Sequence, residues 1–476
     1  MQESDQTSLR EQVAASLAQL RGIKIDEQAV LSHVIRPEHV MTAISDQDAA
    51  EALAPYKPIH LPVPPPAHIY ALNVDGFISG IQQELSNAAG GGQPGDVGYV
   101  GYEIRLNDLG FPVRSVVNGY AHWPVDGAED WAPDVRQHVA SLSKNITAMA
   151  MTKALIAAGL PPDGSTPIID YLPTYWAKGP NIDQITIAKL LTHTSGITAI
   201  AADFQTMKDV IATGVSASDI GKYSYQNVNF TLCRVLLSTI TGIVPVDWGS
   251  EWVTLRDALW DMAAIQCYAD YVAKNIFTPA GVNGPLLQHS PGDALAYPFW
   301  LGAAGWNSEC LATGAGAYGW HMTAEEVLAV MGTFRRTNAI LTPAQAQNML
   351  DYEFGIDNRQ STPLGHVYWK NGYWQQFPGG PAEQAVLFYL PLEMELVVLV
   401  NSPLGPNDSS GKLGLLVFDA YNSNIKIVPI KDGMAAAPQL MPTRSTSSAA
   451  TATSGSKKRR SDPPTSRLTA PRSTPT

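Results

Sequence analysis

The chain has 476 residues, of which 45% are hydrophobic and 16% charged, so most of it has the composition of a globular protein larger than a minimal domain. Its net charge of −12 is uneven, because residues from Leu440 onward carry +6 and the remainder carries −18. The acidic body argues against nucleic acid or an anionic membrane as a partner. The basic tail is interpreted as a solvated segment, with a localisation signal or polyanion contact at Lys457–Arg460 as the alternative.

Cysteine spacing and hydropathy exclude further classes of protein. Cys233, Cys267 and Cys310 are odd in number and lack C-x-x-C spacing, so they indicate neither a zinc site nor a disulfide framework. The chain has no apolar run of about 18 residues, the length of a membrane helix. Residues 1–21 also lack the apolar core of a signal peptide. We therefore expect a cytoplasmic protein that uses no metal and no cofactor.

Residues 1–72 are predicted to be a helical appendage and linker that precede the main fold. Ser8 and Glu11 have the spacing of a capping box and are followed by apolar residues at helical spacing, Val13, Leu17 and Leu20. The stretch LPVPPP, residues 61–66, is typical of a stiff extended linker. The sequence assigns this segment no function.

The main domain is predicted to span residues 73–433 and to begin with a helix. Apolar residues recur there at helical spacing, at Val74, Phe77, Ile78, Ile81 and Leu85. Two strand-like runs follow, joined by NDLGFP, which is typical of a hairpin: Val97–Leu106 and Val113–Trp123. A long helix is expected to begin near Ser141.

The middle of this domain, about residues 150–350, is predicted to be a helical subdomain. Thr323 and Glu326 form a capping box within it. The elements that end the domain are two strands around a Pro-Leu turn and an amphipathic helix, Ala385–Leu390, Glu393–Asn401 and Lys412–Tyr421. We expect the first and last strand pairs to join in one antiparallel sheet. The Ser/Thr/Ala/Pro composition predicts that residues 434–476 are disordered.

A serine and a lysine lie one turn apart at the start of the long helix. Positions i and i+3 of a helix share a face, so Lys144 can reach the hydroxyl of Ser141. A nucleophilic serine needs such a base, because its own hydroxyl hardly ionises at neutral pH. S-x-x-K recurs at Ser409, Ser423 and Ser454, too late in the chain to be followed by a complete site. Alone, the motif also fits a helix-capping serine beside a surface lysine.

Two further motifs follow in the chain. The first is Y-Q-N at residues 225–227. The phenol of Tyr225 can take or relay a proton, and the amide of Asn227 can orient a carbonyl. K-N-G at residues 370–372 offers a cation, Lys370, that can hold a substrate carboxylate. Taken singly, these residues also fit a packed tyrosine, a turn asparagine and an exposed strand lysine.

The order S-x-x-K, Y-x-N, K-x-G, with a helical stretch between the first two motifs, is the signature of one superfamily. The chain resembles serine β-lactamases and penicillin-binding proteins, in particular the branch of class C β-lactamases, DD-peptidases and family VIII esterases. The resemblance covers about residues 74–425 and includes three further segments, Thr186–Ile197, Asp270–Val282 and Val397–Asn401. It implies a mixed α/β (α+β) fold of β-lactamase/transpeptidase type, with an antiparallel sheet flanked by helices and an all-helical domain.

The resemblance also implies catalytic roles for matching residues. Ser141 would be the nucleophile, Lys144 its proton acceptor and Tyr225 a second general base. The backbone N–H groups of Ser141 and Tyr373 would form the oxyanion hole, in which one donor is typically worth about 3 kcal/mol of transition-state stabilisation.

The same resemblance assigns substrate positioning to Asn227, Lys370 and Asn371. Asn371 departs from the pattern, since lactamases and peptidases usually carry Thr or Ser there, and residues 373–377 lengthen the segment before the following Pro-Gly-Gly. An aromatic cluster is expected to form an apolar rim around the motif: Tyr368, Trp369, Tyr373 and Trp374. These features favour an apolar ester over a compact anion as substrate.

The leading hypothesis is a serine hydrolase that acts on a small-molecule ester through a Ser141 acyl-enzyme, by hydrolysis or by acyl transfer. The first alternative is a β-lactamase or D-amino-acid peptidase, with an amide or lactam substrate. The second is a catalytically silent scaffold of the same fold, against which the three filled motifs argue. The sequence leaves the oligomeric state open.

The histidines are interpreted as structural. His193 lacks the G-x-S-x-G elbow that would accompany a Ser-His-Asp triad, and the resemblance places it in a structural turn. The remaining candidates show no metal-ligand partners in the sequence and are interpreted as surface or core residues: His33, His39, His289 and His321.

Overall fold

The computed structural model describes residues 11–20, 68–88, 101–199, 201–249, 253–300, 302–405, 408 and 411–429. The chain divides into two units, Met1–Pro429 and Ile430–Thr476, and all described residues belong to the first. The predicted linker at 61–66 and the predicted tail at 434–476 lie outside them. In the described part, no helix is both long enough and apolar enough to cross a membrane.

The strands, in chain order, are β1 (His68–Leu72), β2 (Gly101–Asp108), β3 (Phe111–His122), β4 (Glu129–Asp130), β5 (Gln137–His138), β6 (His321–Met322), β7 (Asn358–Thr362), β8 (Gly365–Gln375), β9 (Ala382–Leu390), β10 (Met394–Val400) and β11 (Ile425–Pro429). Within the described ranges, seven of them form an antiparallel sheet in the order β4-β3-β2-β10-β9-β8-β7. Val397 of β10 lies opposite Arg105 of β2. The predicted joining of the first and last strand pairs is therefore confirmed.

The α-helices described after residue 68 are α1 (Val74–Ala88), α2 (Ser143–Ala157), α3 (Ile187–Leu191), α4 (Phe204–Thr213), α5 (Asn227–Ile240), α6 (Val253–Val272), α7 (Ala324–Arg336), α8 (Pro343–Asp351) and α9 (Lys412–Ser423). Helix α1 buries the predicted apolar face, and α7 begins with the predicted capping box between Thr323 and Glu326. The β2–β3 hairpin turns at Leu109 and Gly110, both with positive φ, which matches the right-handed twist of paired strands.

The central strands β9 and β10 are buried along their whole length, which explains why apolar residues predominate in them. In β10, Val397 and Leu399 join a larger core shared with the helical region. Leu396, Val398 and Val400 face a second core, which contains residues of α1 and α9. Most side chains of α2 and α5 are buried in the larger core, so the serine at the start of α2 is held by packing on nearly every side.

The N-terminal region differs from the predicted appendage. Strand β1 pairs with β11 in antiparallel fashion, so residues 68–72 belong to the main fold and not to a linker. Residues 11–17 are helical, Val13 is fully buried in the larger core, and the backbone oxygen of Ser16 accepts a 2.9 Å hydrogen bond from Trp248 Nε1. This helix is therefore docked on the domain by burial that its short amphipathic pattern does not reveal.

Candidate active site

Ser141 lies in a single helical turn between β5 and α2. The turn spans Ala140–Leu142 and is closed by a 3.1 Å bond from the Leu142 N–H to the Val139 oxygen. Ala140 has φ of 47°, in the left-handed region that residues with a side chain rarely occupy. Backbone strain of this kind persists only where the surroundings hold it, and it is frequent at functional sites.

Gly372 of strand β8 lies directly against this turn. A Cβ atom at this position would be 2.6 Å from the Val139 oxygen and 3.2 Å from the Ala140 Cβ. Only glycine allows so close an approach of two backbones. The third motif therefore needs its glycine so that β8 can reach the turn Ala140–Leu142, called the nucleophile turn below after the predicted role of Ser141.

The Ser141 hydroxyl lies between two candidate bases. Its Oγ is 2.8 Å from Lys144 Nζ and 2.8 Å from the Tyr225 hydroxyl. The lysine amine also donates to Asn227 Oδ1 at 2.7 Å and to the Ala317 oxygen at 3.0 Å. These acceptors hold Nζ in one place beside the serine. The first motif and the second motif are thus joined by direct hydrogen bonds.

Lys370 approaches the same tyrosine from the sheet. Its Nζ is 3.5 Å from the Tyr225 hydroxyl. The Nζ atoms of Lys370 and Lys144 lie 5.0 and 4.9 Å, respectively, from the centre of the Tyr225 ring. Lys370 also forms a buried ion pair with Asp357, at 2.6 Å from Nζ to Oδ1. The positive charge of the third motif is therefore matched by a carboxylate inside the protein.

Strand geometry orients the backbone of Tyr373 for the expected oxyanion hole. In β8 the N–H of Asn371 donates to Asp357 Oδ2 at 2.8 Å, away from β9. Alternate residues of a strand direct their N–H groups to the same side. The N–H of Tyr373 therefore also points away from β9. Because β7 pairs with β8 only as far as Trp369, Tyr373 lies beyond the part of β8 that β7 covers.

Residues 113–417, well over half of the chain, match the beta-lactamase family. The chain belongs to that family. A search of the curated proteins gives no significant match.

Solved structures of this family's fold cover most of the chain. FmtA from Staphylococcus aureus matches with a TM-score of 0.53 and 16% identity, over 81% of this chain and 96% of that one. A D-stereospecific amidohydrolase from Streptomyces sp. matches with a TM-score of 0.51 and 17% identity, over 72% of this chain and 98% of that one. EstCE1, a hydrolase with promiscuous acyltransferase activity, matches with a TM-score of 0.50 and 16% identity, over 73% of this chain and 99% of that one. At these identities the likeness shows the fold, and it confirms the predicted β-lactamase/transpeptidase-like class.

The side chain of Asn371 does not lie where a substrate-binding residue was expected. Its Nδ2 donates to Asp357 Oδ2 at 3.1 Å, and a Cβ added to Gly414 of α9 would lie 2.1 Å from its Oδ1. The side chain thus points towards α9, because residues 370 and 371 of a strand face opposite sides of the sheet. Asn371 anchors Asp357 in this structure.

The predicted aromatic rim is also not formed as expected. Trp369 stacks between Phe388 and Phe418 in the second core, on the far side of the sheet from Lys370. Tyr368 donates to Asp351 at 2.7 Å, and Trp374 packs on Tyr318 with ring centres 4.5 Å apart. Because all four aromatic side chains of the cluster are buried, their packing stabilises β8.

Asp357 is the site residue that the sequence analysis missed. No motif marks it, since it lies in the segment FGIDN ahead of β7. The signal that would have found it is the β7–β8 hairpin, in which Asn358 lies opposite Trp369. That register places Asp357 beside Lys370 and Asn371.

His193 supports Tyr225. It has φ of 55°, its Nδ1 accepts the Gln226 N–H at 3.2 Å, and its ring packs 4.3 Å from the centre of the Tyr225 ring. Burial, together with the nearby Lys144 and Lys370 cations, holds the pKa of His193 well below its usual range. The imidazole is therefore neutral, as suits a residue in a structural turn.

Proposed function

We propose that this protein is a serine hydrolase that cleaves small carboxylic esters through an acyl-enzyme at Ser141. The observation that carries the proposal is the position of the Ser141 Oγ at 2.8 Å from both Lys144 Nζ and the Tyr225 hydroxyl. A base within hydrogen-bond distance is the first geometric requirement for proton transfer from a nucleophile.

In the proposed acylation, Oγ attacks the ester carbonyl carbon while its proton passes to a neutral Lys144 amine. The tetrahedral oxyanion is stabilised by the backbone N–H groups of Ser141 and Tyr373. The carbon–oxygen bond of the ester then breaks, and the leaving alkoxide takes a proton through Tyr225. Deacylation repeats these steps with water, or with an alcohol as the acyl acceptor.

The Lys370–Asp357 pair supports an uncharged substrate. A lysine that binds a substrate carboxylate must present its charge to that carboxylate. Here Asp357 already lies 2.6 Å from Nζ, so an anionic substrate has to compete with a buried carboxylate. A neutral ester meets no such competition. The names of two structural neighbours, a hydrolase with promiscuous acyltransferase activity and a D-stereospecific amidohydrolase, support acyl chemistry and keep amides as the alternative substrate.

The test is a comparison of substrates on the purified chain. Short-chain p-nitrophenyl esters are expected to be cleaved with kcat/KM at least about tenfold above that of nitrocefin, or roughly 1.4 kcal/mol of differential transition-state binding. A preference for nitrocefin or for D-alanyl amides would replace the ester proposal with the β-lactamase or peptidase alternative. A fluorophosphonate probe, which carries no carboxylate, should label Ser141, and failure of both this probe and a fluorescent penicillin would favour the scaffold.

A further inference from the structure

A second cluster of polar side chains lies at β6, the strand that pairs with β5. His289 and Asp293 belong to the loop that follows α6, and His321 begins β6. One potential ligand atom from each lies within 4.8 Å of the others. Asp293 and His321 are buried, and His289 is half-buried. The sequence analysis left these histidines without partners, because Asp293 and His321 meet only in the folded chain.

The hydrogen bonds of His321 leave one ring nitrogen with a lone pair. Its Nδ1 lies 3.1 Å from the Gly319 oxygen, which can only accept, so Nδ1 carries the proton. Its Nε2 is therefore the basic nitrogen. It accepts a hydrogen bond from the Ser308 hydroxyl at 3.0 Å, which a metal ion bound at Nε2 would replace. A histidine that donates one N–H to a backbone carbonyl and offers the other nitrogen is typical of metal ligands.

The other two side chains complete a ligand set. The Nδ1 of His289 is buried and has no hydrogen-bond partner among the described residues. Asp293 is held in place, since its Oδ2 accepts from the Ser290 N–H at 2.8 Å and its backbone oxygen lies 2.8 Å from His122 Nε2.

We propose that His289, Asp293 and His321 bind one divalent transition-metal ion of the zinc type. Two imidazoles and one carboxylate, without a thiolate, are a ligand set that suits zinc and its neighbours in the first row better than calcium or magnesium. Water or the Ser308 hydroxyl fills the fourth position of the tetrahedron.

The bound ion would stabilise the segment that supports the catalytic lysine. His321 of β6 pairs with His138 of β5. His138 precedes Ser141 by three residues in the chain. The same segment carries the Ala317 oxygen that accepts from Lys144 and the Gly319 N–H that donates to His138 Nε2 at 3.1 Å. The ion is therefore assigned a structural role.

The experiment uses the untagged full chain, stripped with a chelator and titrated with Zn²⁺ or Co²⁺. We expect uptake of about one equivalent, read by metal analysis and by the visible spectrum of Co²⁺. His289→Gln and Asp293→Asn should each weaken binding by at least about tenfold. His366→Gln, which removes an exposed histidine on β8, is the matched control and should bind as the wild type does.

Thermal melting supplies a second measurement. Zn²⁺ should raise the Tm of the wild type and of His366→Gln, because a ligand that binds only the folded state stabilises it. It should leave the Tm of His289→Gln unchanged, and this variant changes only a half-buried side chain. Absence of uptake by the wild type, or equal uptake by the wild type and both cluster variants, would overturn the proposal.

Discussion

Asp357 holds both polar residues of the third motif through its two carboxylate oxygens. Its Oδ1 lies 2.6 Å from Lys370 Nζ, and its Oδ2 accepts from the backbone and the side chain of Asn371. The lysine charge is therefore shared between Asp357 and the neighbourhood of Tyr225. The proposed preference for uncharged substrates rests on this sharing.

Asp357→Asn should shift the selectivity towards anions. Loss of the counter-charge leaves Lys370 available to a substrate carboxylate, so we expect the ratio of kcat/KM for a p-nitrophenyl ester to that for nitrocefin to fall at least about tenfold. Asp351→Asn, which removes a carboxylate that contacts Tyr368 and Arg359, is the matched control. Equal ratios in the two variants would show that Asp357 has no part in selectivity.

Ser141→Ala should abolish turnover and probe labelling while the protein stays folded. The hydroxyl is small, and the Lys144 and Tyr225 side chains that contact it belong to the site. Ser143→Ala is a close control, since Ser143 is also buried in the same segment and its Oγ has no hydrogen-bond partner among the described residues. Activity that survives in Ser141→Ala, or is lost in Ser143→Ala with the fold intact, contradicts the assignment.

Lys144→Ala and Tyr225→Phe should each slow acylation by about 10²-fold or more, the usual contribution of a positioned base. Both groups contact one oxygen, so the double variant should be much less impaired than the product of the single effects. Pre-steady-state acylation rates measure this directly. Fully multiplicative losses would mean that the two residues act in separate steps.

Gly372→Ala should destabilise the protein by about 1–3 kcal/mol and reduce activity, because the new methyl group is forced against the Val139 oxygen. Gly405→Ala is the control, since among the described residues its added Cβ would approach only the flexible end of Lys412, at 3.1 Å. Urea unfolding and ester turnover should separate the two variants. Equal stability would place Gly372 outside the packing of the nucleophile turn.

His193→Asn tests the neutral imidazole, and asparagine tolerates the left-handed backbone at this position. The folded-state pKa of His193 is depressed, so below about pH 6.5 the unfolded chain binds a proton that the folded protein does not. The stability advantage of the wild type over the variant is therefore present above that pH. It should shrink as the pH falls towards 5, by up to about 1.4 kcal/mol per pH unit.

Urea unfolding of both proteins at several pH values between 5 and 8 measures this difference. A difference that stays constant across the range would mean that His193 titrates alike in the folded and unfolded chains. The variant should still be labelled at Ser141, because His193 is assigned a supporting role through its contacts with the Tyr225 ring and the Gln226 backbone. Loss of labelling in a folded variant would instead indicate a catalytic histidine.

Local features of the site could be predicted because short-range geometry decides them. The three-residue spacing of Ser141 and Lys144 puts both on one face of a helical turn, whatever surrounds the helix. The capping box at Thr323 and the hairpin turn at Leu109 and Gly110 follow in the same way from neighbouring residues. The order of the three motifs was enough to indicate the family that residues 113–417 match.

Contacts between distant parts of the chain were decided only by the tertiary structure. The β7–β8 register brings Asp357 to Lys370, and the alternation of β8 turns Trp369 and Asn371 away from the serine. The meeting of His289, Asp293 and His321 likewise depends on a loop that folds back onto β6. A shift of one residue in strand pairing reverses which side chains face the site, and side-chain identity alone does not specify that register.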